Sequence, residues 1–260
     1  MGGLEVLVAV DTGNTHTVLG LFDGEKLLAD WRIATRHDTT EDELAALWRS
    51  LFEAQGLSRT AVEGVIVSSV VPDWNGVLAA AATKTFGKTA LFVEPGVKTG
   101  LPIRYENPHE VGADRIVNAV AAAERFGAPV LVLDFGTATT FDVVSAKREY
   151  LGGVIAPGLA ISAEALFRRA ARLSRVDVRK PAHLVGRNTQ ESVQAGLFYG
   201  YVGLVEGLVR RLRDEIGHEA PVVATGGLAA VFRDELPFLT AVDPNLTLEG
   251  LRLIWEKNRK

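Results

Sequence analysis

The 260-residue sequence contains no cysteine, which excludes disulfides, thiolate nucleophiles and thiolate metal sites together. Its five histidines, His16, His37, His109, His183 and His218, are scattered and never take the i, i+4 spacing of a helical zinc site. No block of five or six like charges occurs, so nucleic acid is not the expected partner, and the formal net charge is only −4. No apolar run approaches the ~18 residues that read as a membrane span. The first ten residues lack a positively charged leader region and run straight into a strand pattern. Val6 stands where a myristoylation signal beginning at Gly2 needs serine or threonine. A cytoplasmic protein without a membrane or nucleic-acid partner is the expectation. Two nucleotide-binding signatures are missing as well. No Gly-x-x-x-x-Gly-Lys-Ser/Thr stretch exists, only the fragments Gly24-Glu-Lys26 and Gly87-Lys-Thr89. No Gly-x-Gly-x-x-Gly follows the first strand, which weighs against an oxidoreductase.

What remains is ordinary globular material, 47% hydrophobic and 23% charged, long enough for one large domain or two medium ones. Two segments resemble each other. Val6-Leu-Val-Ala-Val-Asp11-Thr-Gly13-Asn-Thr15-His-Thr17-Val precedes, and Val130-Leu-Val-Leu-Asp134-Phe-Gly136-Thr137-Ala-Thr139-Thr follows about half a chain later. Each is an apolar β-rich run, then Asp-x-Gly, then hydroxyl residues, then a second β-rich run. The spacing reads as a duplication with one copy per domain, residues 1–126 and 127–260.

The first half continues with a capping box at Thr40 and Glu43. It opens a helix with a stripe at Leu44, Leu47, Trp48, Leu51 and Phe52, ending near Gly56. Residues 62–71 read as a buried strand, a small-residue helix follows Pro72-Asp73, and 90–93 is another short strand. Glycine and proline make 95–108 a loop, before a helix over 111–126 with Ile116, Val120 and Ala123 on one face. In the second half a strand from Leu151 meets the Gly158 turn and a helix over 159–173. A long helix spans 189–213, a strand from Pro221 meets Gly226-Gly227, and the last helix carries Leu248, Leu251 and Trp255. Strand hairpins followed by βα units, twice over, predict a two-domain α/β protein with mixed sheets flanked by helices.

An Asp-x-Gly-x-Thr turn between strands has a definite chemistry. Glycine lets the backbone approach a phosphate, and nearby N–H groups and threonine hydroxyls aim donors at its oxygens. The aspartate repels phosphate but suits a cation, either Mg²⁺ through water or a monovalent ion. Two such turns facing each other would grip the β- and γ-phosphates of ATP from opposite sides. Plain hairpins would use the same residues for turn geometry alone. Asp114, in Gly112-Ala113-Asp114-Arg115 at a helix start, reads either as a partner of the helix dipole or as a general base for an attacking hydroxyl. In the second case Arg115 would pair a substrate carboxylate. Gly226-Gly227 permits flat approach of a ligand ring and fits an adenosine site.

Asp11-Thr-Gly-Asn-Thr-His-Thr, Gly112-Ala-Asp-Arg, Asp134-Phe-Gly-Thr-Ala-Thr-Thr, Gly186-Arg-Asn-Thr189 and Ala224-Thr-Gly-Gly227 together resemble type III pantothenate kinases. That family lies in the superfamily of acetate and sugar kinases, heat-shock ATPases and actin. The likeness runs from about residue 5 to 255 and includes the closing Asp243-Pro-Asn-Leu-Thr-Leu-Glu-Gly-Leu. It implies two ribonuclease-H-like, actin-like ATPase domains. It also implies phosphorylation of pantothenate by ATP with Mg²⁺, the first step toward coenzyme A. Asp11, Thr12, Gly13, Asn14, Thr15, His16, Thr17, Val18 and Thr137 would then bind ATP. Tyr105, Gly112, Ala113, Asp114, Arg115 and Thr189 would line the pantothenate site, with Asp114 as proton acceptor. Asp134 would hold K⁺ or NH₄⁺, and the enzyme would be a homodimer. A sugar or acyl-phosphate kinase on the same scaffold stays open, as does a regulatory relative without catalysis. Retention of Asp11, Asp114 and Asp134 speaks against the latter.

Overall fold

A computed structural model describes residues 6–170, 173, 175–217 and 219–259. The N-terminal readings at residues 1–5 and the histidine at 218 lie outside these residues. In chain order the elements begin with β1 (Val6–Thr12), β2 (His16–Asp23), β3 (Lys26–Ala34), α1 (Glu41–Ala54), β4 (Val62–Ser69), α2 (Asn75–Phe86) and β5 (Ala90–Phe92). There follow α3 (Ala113–Phe126), β6 (Val130–Phe135), β7 (Ala138–Val144), β8 (Tyr150–Pro157), α4 (Leu159–Arg169) and α5 (Thr189–Ile216). The chain closes with β9 (Val222–Thr225), α6 (Ala229–Phe232), β10 (Leu239–Val242) and α7 (Leu246–Asn258).

The first sheet has the order β3-β2-β1-β4-β5, the second β10-β9-β6-β7-β8. In each, the leading strand pairs antiparallel with its hairpin partner, which pairs antiparallel with a third strand. On its other side the leading strand pairs parallel with a fourth, and the fourth pairs parallel with a fifth. The two sheets therefore repeat one connectivity, the topological counterpart of the repeated Asp-x-Gly segments. The leading strands β1 and β6 sit in the middle of their sheets and are almost wholly buried, which is why they read as continuous apolar runs.

Two compact units contain these sheets. One comprises the chain up to Leu101, Glu106–Ala121 and the segment from Leu246 onward; the other comprises Pro102–Tyr105 and Ala122–Asn245. This division differs from a single cut after residue 126, because α7 returns to the first sheet. Gly64 and Gly20 make that return possible: a Cβ on Gly64 would lie 2.0 Å from the Trp255 ring, and one on Gly20 would lie 2.8 Å from Leu248. Thr247 Oγ1 also donates to Asn118 Oδ1 of α3 at 2.7 Å.

The predicted capping box is present at α1. Glu43 N donates to Thr40 Oγ1 at 3.3 Å and Thr40 N to Glu43 Oε2 at 2.8 Å. Trp48 and Phe52 are core residues, packing with Phe86, whereas Leu47 is 40% exposed because it lies at the margin of the stripe. The second core centres on Phe135, Phe198, Tyr201 and Phe232, whose rings pack against one another. Helix α4 ends at Arg169 rather than 173, with Ala170 leaving helical geometry, and residues 171 and 172 are not among those described. No helix among the described residues is long and apolar enough to cross a membrane.

Candidate active site

Asp11 is the penultimate residue of β1, paired with Val18 across the hairpin and with Ser68 of β4. The turn closes through Gly13 N donating to His16 O at 3.0 Å. Thr35 at the end of β3 braces it from below: its amide donates to Thr15 O at 3.0 Å and its hydroxyl to Gly13 O at 2.8 Å, with Thr17 Oγ1 2.9 Å away. This bracing sorts the expected nucleotide residues. Asn14, Thr15 and His16 are exposed, while Thr12 and Thr17 are buried beneath them. The Thr12 hydroxyl and that of Ser68 are buried without a hydrogen-bond partner. Buried hydroxyls without partners are costly and rare, and these two lie on paired strands next to the turn.

The Gly112–Arg115 segment belongs to the same unit. Arg115 N donates to Asp114 Oδ1 at 2.8 Å, folding the carboxylate back over the helix start. Glycine at 112 leaves that carboxylate its place, because a Cβ there would lie 2.5 Å from its oxygen and push it aside. Burial pushes the Asp114 carboxyl above its usual range, opposed by the Arg115 amide and then by the Arg115 charge. Arg115 itself is 6% exposed. Val70 joins this segment to the first turn. Its amide donates to Thr12 O at 3.0 Å, and its side chain is the next neighbour, at 3.5 Å, of a Cβ built on Gly112. A cleft of about 270 Å³ opens here, lined by Ser69, Val70, Asn75, Glu94, His109 and Gly112 among others. The buried Oδ1 of Asn75 has no hydrogen-bond partner.

The second turn, in the other unit, is built by the same rules. Asp134 is the penultimate residue of β6, and Gly136 N donates to Ala138 O at 3.1 Å. Two glycines from distant sequence complete it. Gly158 N donates to Thr137 O at 3.1 Å, and a Cβ on Gly158 would fall 2.2 Å from that oxygen. Gly226 has φ +91, and its Cβ would fall 2.4 Å from Asp134 Oδ1. Thr137 is left exposed, and buried Thr139 is tied to the Tyr201 hydroxyl, which donates to Pro157 O at 3.3 Å. Of the remaining expected residues, half-buried Tyr105 lies against Gly152. Thr189 is exposed as the first residue of α5, capped by Asn188, which accepts from Glu191 N at 2.9 Å. Both belong to the second unit, Gly112–Arg115 to the first.

No group of three or more histidine, aspartate or glutamate side chains among the described residues could hold a metal by itself. What the turns offer is isolated carboxylates at strand ends beside exposed backbone. That donor set fits Mg²⁺ bound through one or two carboxylates, water and substrate phosphates.

The sequence profile of type III pantothenate kinases matches residues 7–211. The chain belongs to that family. A type III pantothenate kinase from Brevibacillus brevis is 54% identical over 98% of this chain and 100% of its own length. One from Anaeromyxobacter sp. is 55% identical over the same shares. Among solved structures, a putative 2-dehydro-3-deoxygalactonokinase from Sinorhizobium meliloti superposes with a TM-score of 0.62 at 14% identity, over 97% of this chain and 96% of its own. A putative Baf family transcriptional activator from Campylobacter jejuni gives 0.60 at 17%, over 96% and 98%. These last two likenesses establish the fold, the two-unit α/β architecture with duplicated mixed sheets.

Both acidic turns and the Gly112–Arg115 helix start are legible in the sequence. Thr35, Ser68 and Val70 belong to no motif, and Gly226 of the Gly-Gly turn expected to fit adenosine packs against Asp134. The glycines carried a readable signal, each following a strand. Thr35 and Ser68 carried none, since single hydroxyl residues at strand ends are common.

Proposed function

We propose that this type III pantothenate kinase transfers the γ-phosphoryl group of ATP to the primary hydroxyl of pantothenate through the residues assembled above. The exposed donors of Asn14, Thr15 and His16, and Thr137 on the second turn, take the phosphates. Asp114 accepts the proton of the pantothenate hydroxyl as its oxygen bonds to the γ-phosphorus. The bond from that phosphorus to the β,γ-bridging oxygen breaks, and ADP leaves with the electron pair. Burial raises the pKa of the Asp114 carboxyl, so its ionised form is a stronger base than a solvated carboxylate, the direction a proton acceptor needs. Mg²⁺ accompanying ATP, within reach of Asp11 or Asp134, would neutralise developing charge on the phosphates.

Asp134 is further assigned a monovalent cation, K⁺ or NH₄⁺. Its carboxylate lies over Gly226 and beside Gly136, where glycines leave backbone oxygens approachable. Tyr105, Thr189 and the Gly112–Arg115 segment are assigned to pantothenate, with Arg115 meeting its carboxylate. A homodimer is part of the same reading, supported by exposed apolar side chains on β8 and α4, Ile155 at 62% and Ile161 at 42%.

The observation that carries the assignment is the near-full-length likeness to pantothenate kinases with all three acids in place. Purified protein with ATP, Mg²⁺ and K⁺ is expected to convert pantothenate to 4′-phosphopantothenate with release of one ADP per product. Phosphorylation of hexoses in preference to pantothenate, or of neither, would defeat the proposal.

A further inference from the structure

We propose that Gly152 is a positioning residue for the acceptor site, because its missing side chain is what lets Tyr105 lie against β8. The inference rests on the assignment of Tyr105 to pantothenate.

Residues Pro102–Tyr105 form a strap along the start of β8. Tyr150 N donates to Pro102 O and Arg104 N to Tyr150 O, both at 2.8 Å, with Ile103 and Tyr150 in a parallel bridge. Arg104 and Glu149 clamp the outer side, Nε to Oε1 at 2.8 Å. The strand that receives the strap is itself pinned. Tyr150 is fully buried, and its hydroxyl donates at 2.7 Å to Asp142 Oδ1, inside the same core. Thr140 Oγ1 donates to the second oxygen of that carboxylate at 3.1 Å. A buried, hydrogen-bonded carboxylate of this kind resists sliding of the strand, since breaking either contact leaves a buried polar group short of a partner.

Two residues beyond Tyr150, Gly152 takes φ +109, a conformation that side chains disfavour. A Cβ there would lie 2.9 Å and 3.0 Å from Cε2 and Cδ2 of Tyr105, and no other atom outside its immediate neighbours would come within 4 Å. Beyond that backbone conformation, the one contact Gly152 serves is with Tyr105. The neighbouring Gly153 differs: its Cβ would meet the Phe141 carbonyl oxygen at 1.7 Å, a constraint of the sheet itself. Half-buried Tyr105 thus rests one side of its ring on bare backbone and leaves the remainder for a ligand. An aromatic surface set this way suits an acceptor with an apolar or amide portion next to its reacting hydroxyl.

The test is a double-mutant cycle read by steady-state kinetics. Gly152→Ala is expected to raise KM for pantothenate roughly tenfold, the scale of a disturbed pocket contact, leaving kcat within about threefold and KM for ATP unchanged. In a Tyr105→Ala background the same substitution should add less than about twofold, because the ring it displaces is gone. Backbone strain alone would lower the melting temperature equally in both backgrounds and would not separate the two KM values. Should Gly152→Ala fail to fold, Tyr150→Phe loosens the strap from the Asp142 side and should likewise raise KM for pantothenate only where Tyr105 is present. An unchanged KM in a folded variant, or an equal rise with and without Tyr105, overturns the proposal while leaving pantothenate kinase activity intact. Wild-type protein inactive on pantothenate overturns both.

Discussion

Replacing Asp114 by asparagine is expected to lower kcat by about 10²–10⁴, the usual scale for losing a general base, with KM for ATP little changed. Asparagine keeps the size of the side chain and can still accept the Arg115 amide through its carbonyl oxygen, so the helix start should survive. What disappears is a group able to take the hydroxyl proton. The pH profile supplies a second signature. Burial raises the Asp114 carboxyl, so the acidic limb of kcat/KM should lie above the ordinary carboxylate range of about 4. Stability should respond in the opposite sense to activity. A carboxyl whose folded pKa exceeds its unfolded value binds its proton more tightly when folded, so stability falls as pH rises through that window. Asp114→Asn removes this loss, and the variant should match wild type in acid and exceed it near neutrality. Turnover within a few-fold of wild type would reduce Asp114 to a capping residue.

The second large effect is expected at Gly226. Alanine there meets Asp134 Oδ1 at 2.4 Å and the Phe135 backbone nitrogen at 2.6 Å, and must also adopt φ +91. Asp134 and Phe135 both lie on β6 in the middle of its sheet, so it is the Asp134 carboxylate and the turn at Gly226 that must shift. A displacement near 1 Å at a reacting centre costs on the order of 10²-fold in rate. Gly226→Ala should therefore lose about that much kcat, and, with Asp134 proposed to hold the cation, should also weaken any activation by K⁺. Gly196→Ala in α5 is the matched control. Its Cβ would meet nothing within 4 Å, so it should leave activity intact and, by helix propensity, add up to about 1 kcal/mol of stability. Equal activity in the two variants would show that the second turn does not need its present geometry.

Much of this architecture could be read from the residues because local and global signals agree. The apolar runs of β1 and β6 are buried on both faces, so their composition announced them. Thr40 and Glu43 marked the start of α1 because capping is a matter of three adjacent residues. The elements that escaped were those whose own sequence pattern is weak and whose identity comes from a partner. β3, with residues such as Lys26, Asp30 and Arg32, alternates weakly and is an edge strand, defined by its hairpin with β2. β10 is four residues long and exists through pairing with β9. The return of α7 to the first sheet could not be read from its own sequence, because Gly64 and Gly20, which admit Trp255 and Leu248, lie in the first quarter of the chain. At the site, the acids and the Asp-x-Gly turns were legible as motifs. Other supports were not: Thr35 beside the first turn and Gly152 beneath Tyr105 are each a single small residue whose meaning is a distance.

The proposed transfer requires one ATP to be served by both acidic turns while Asp114 faces the acceptor. A crystal structure with a non-hydrolysable ATP analogue, Mg²⁺ and pantothenate tests this directly. Phosphate oxygens should be hydrogen-bonded both within the segment from Asp11 to Val18 and at Thr137, with the pantothenate hydroxyl within about 3.2 Å of the Asp114 carboxylate. A triphosphate touching only one of the two turns, or a hydroxyl directed away from Asp114, would contradict it.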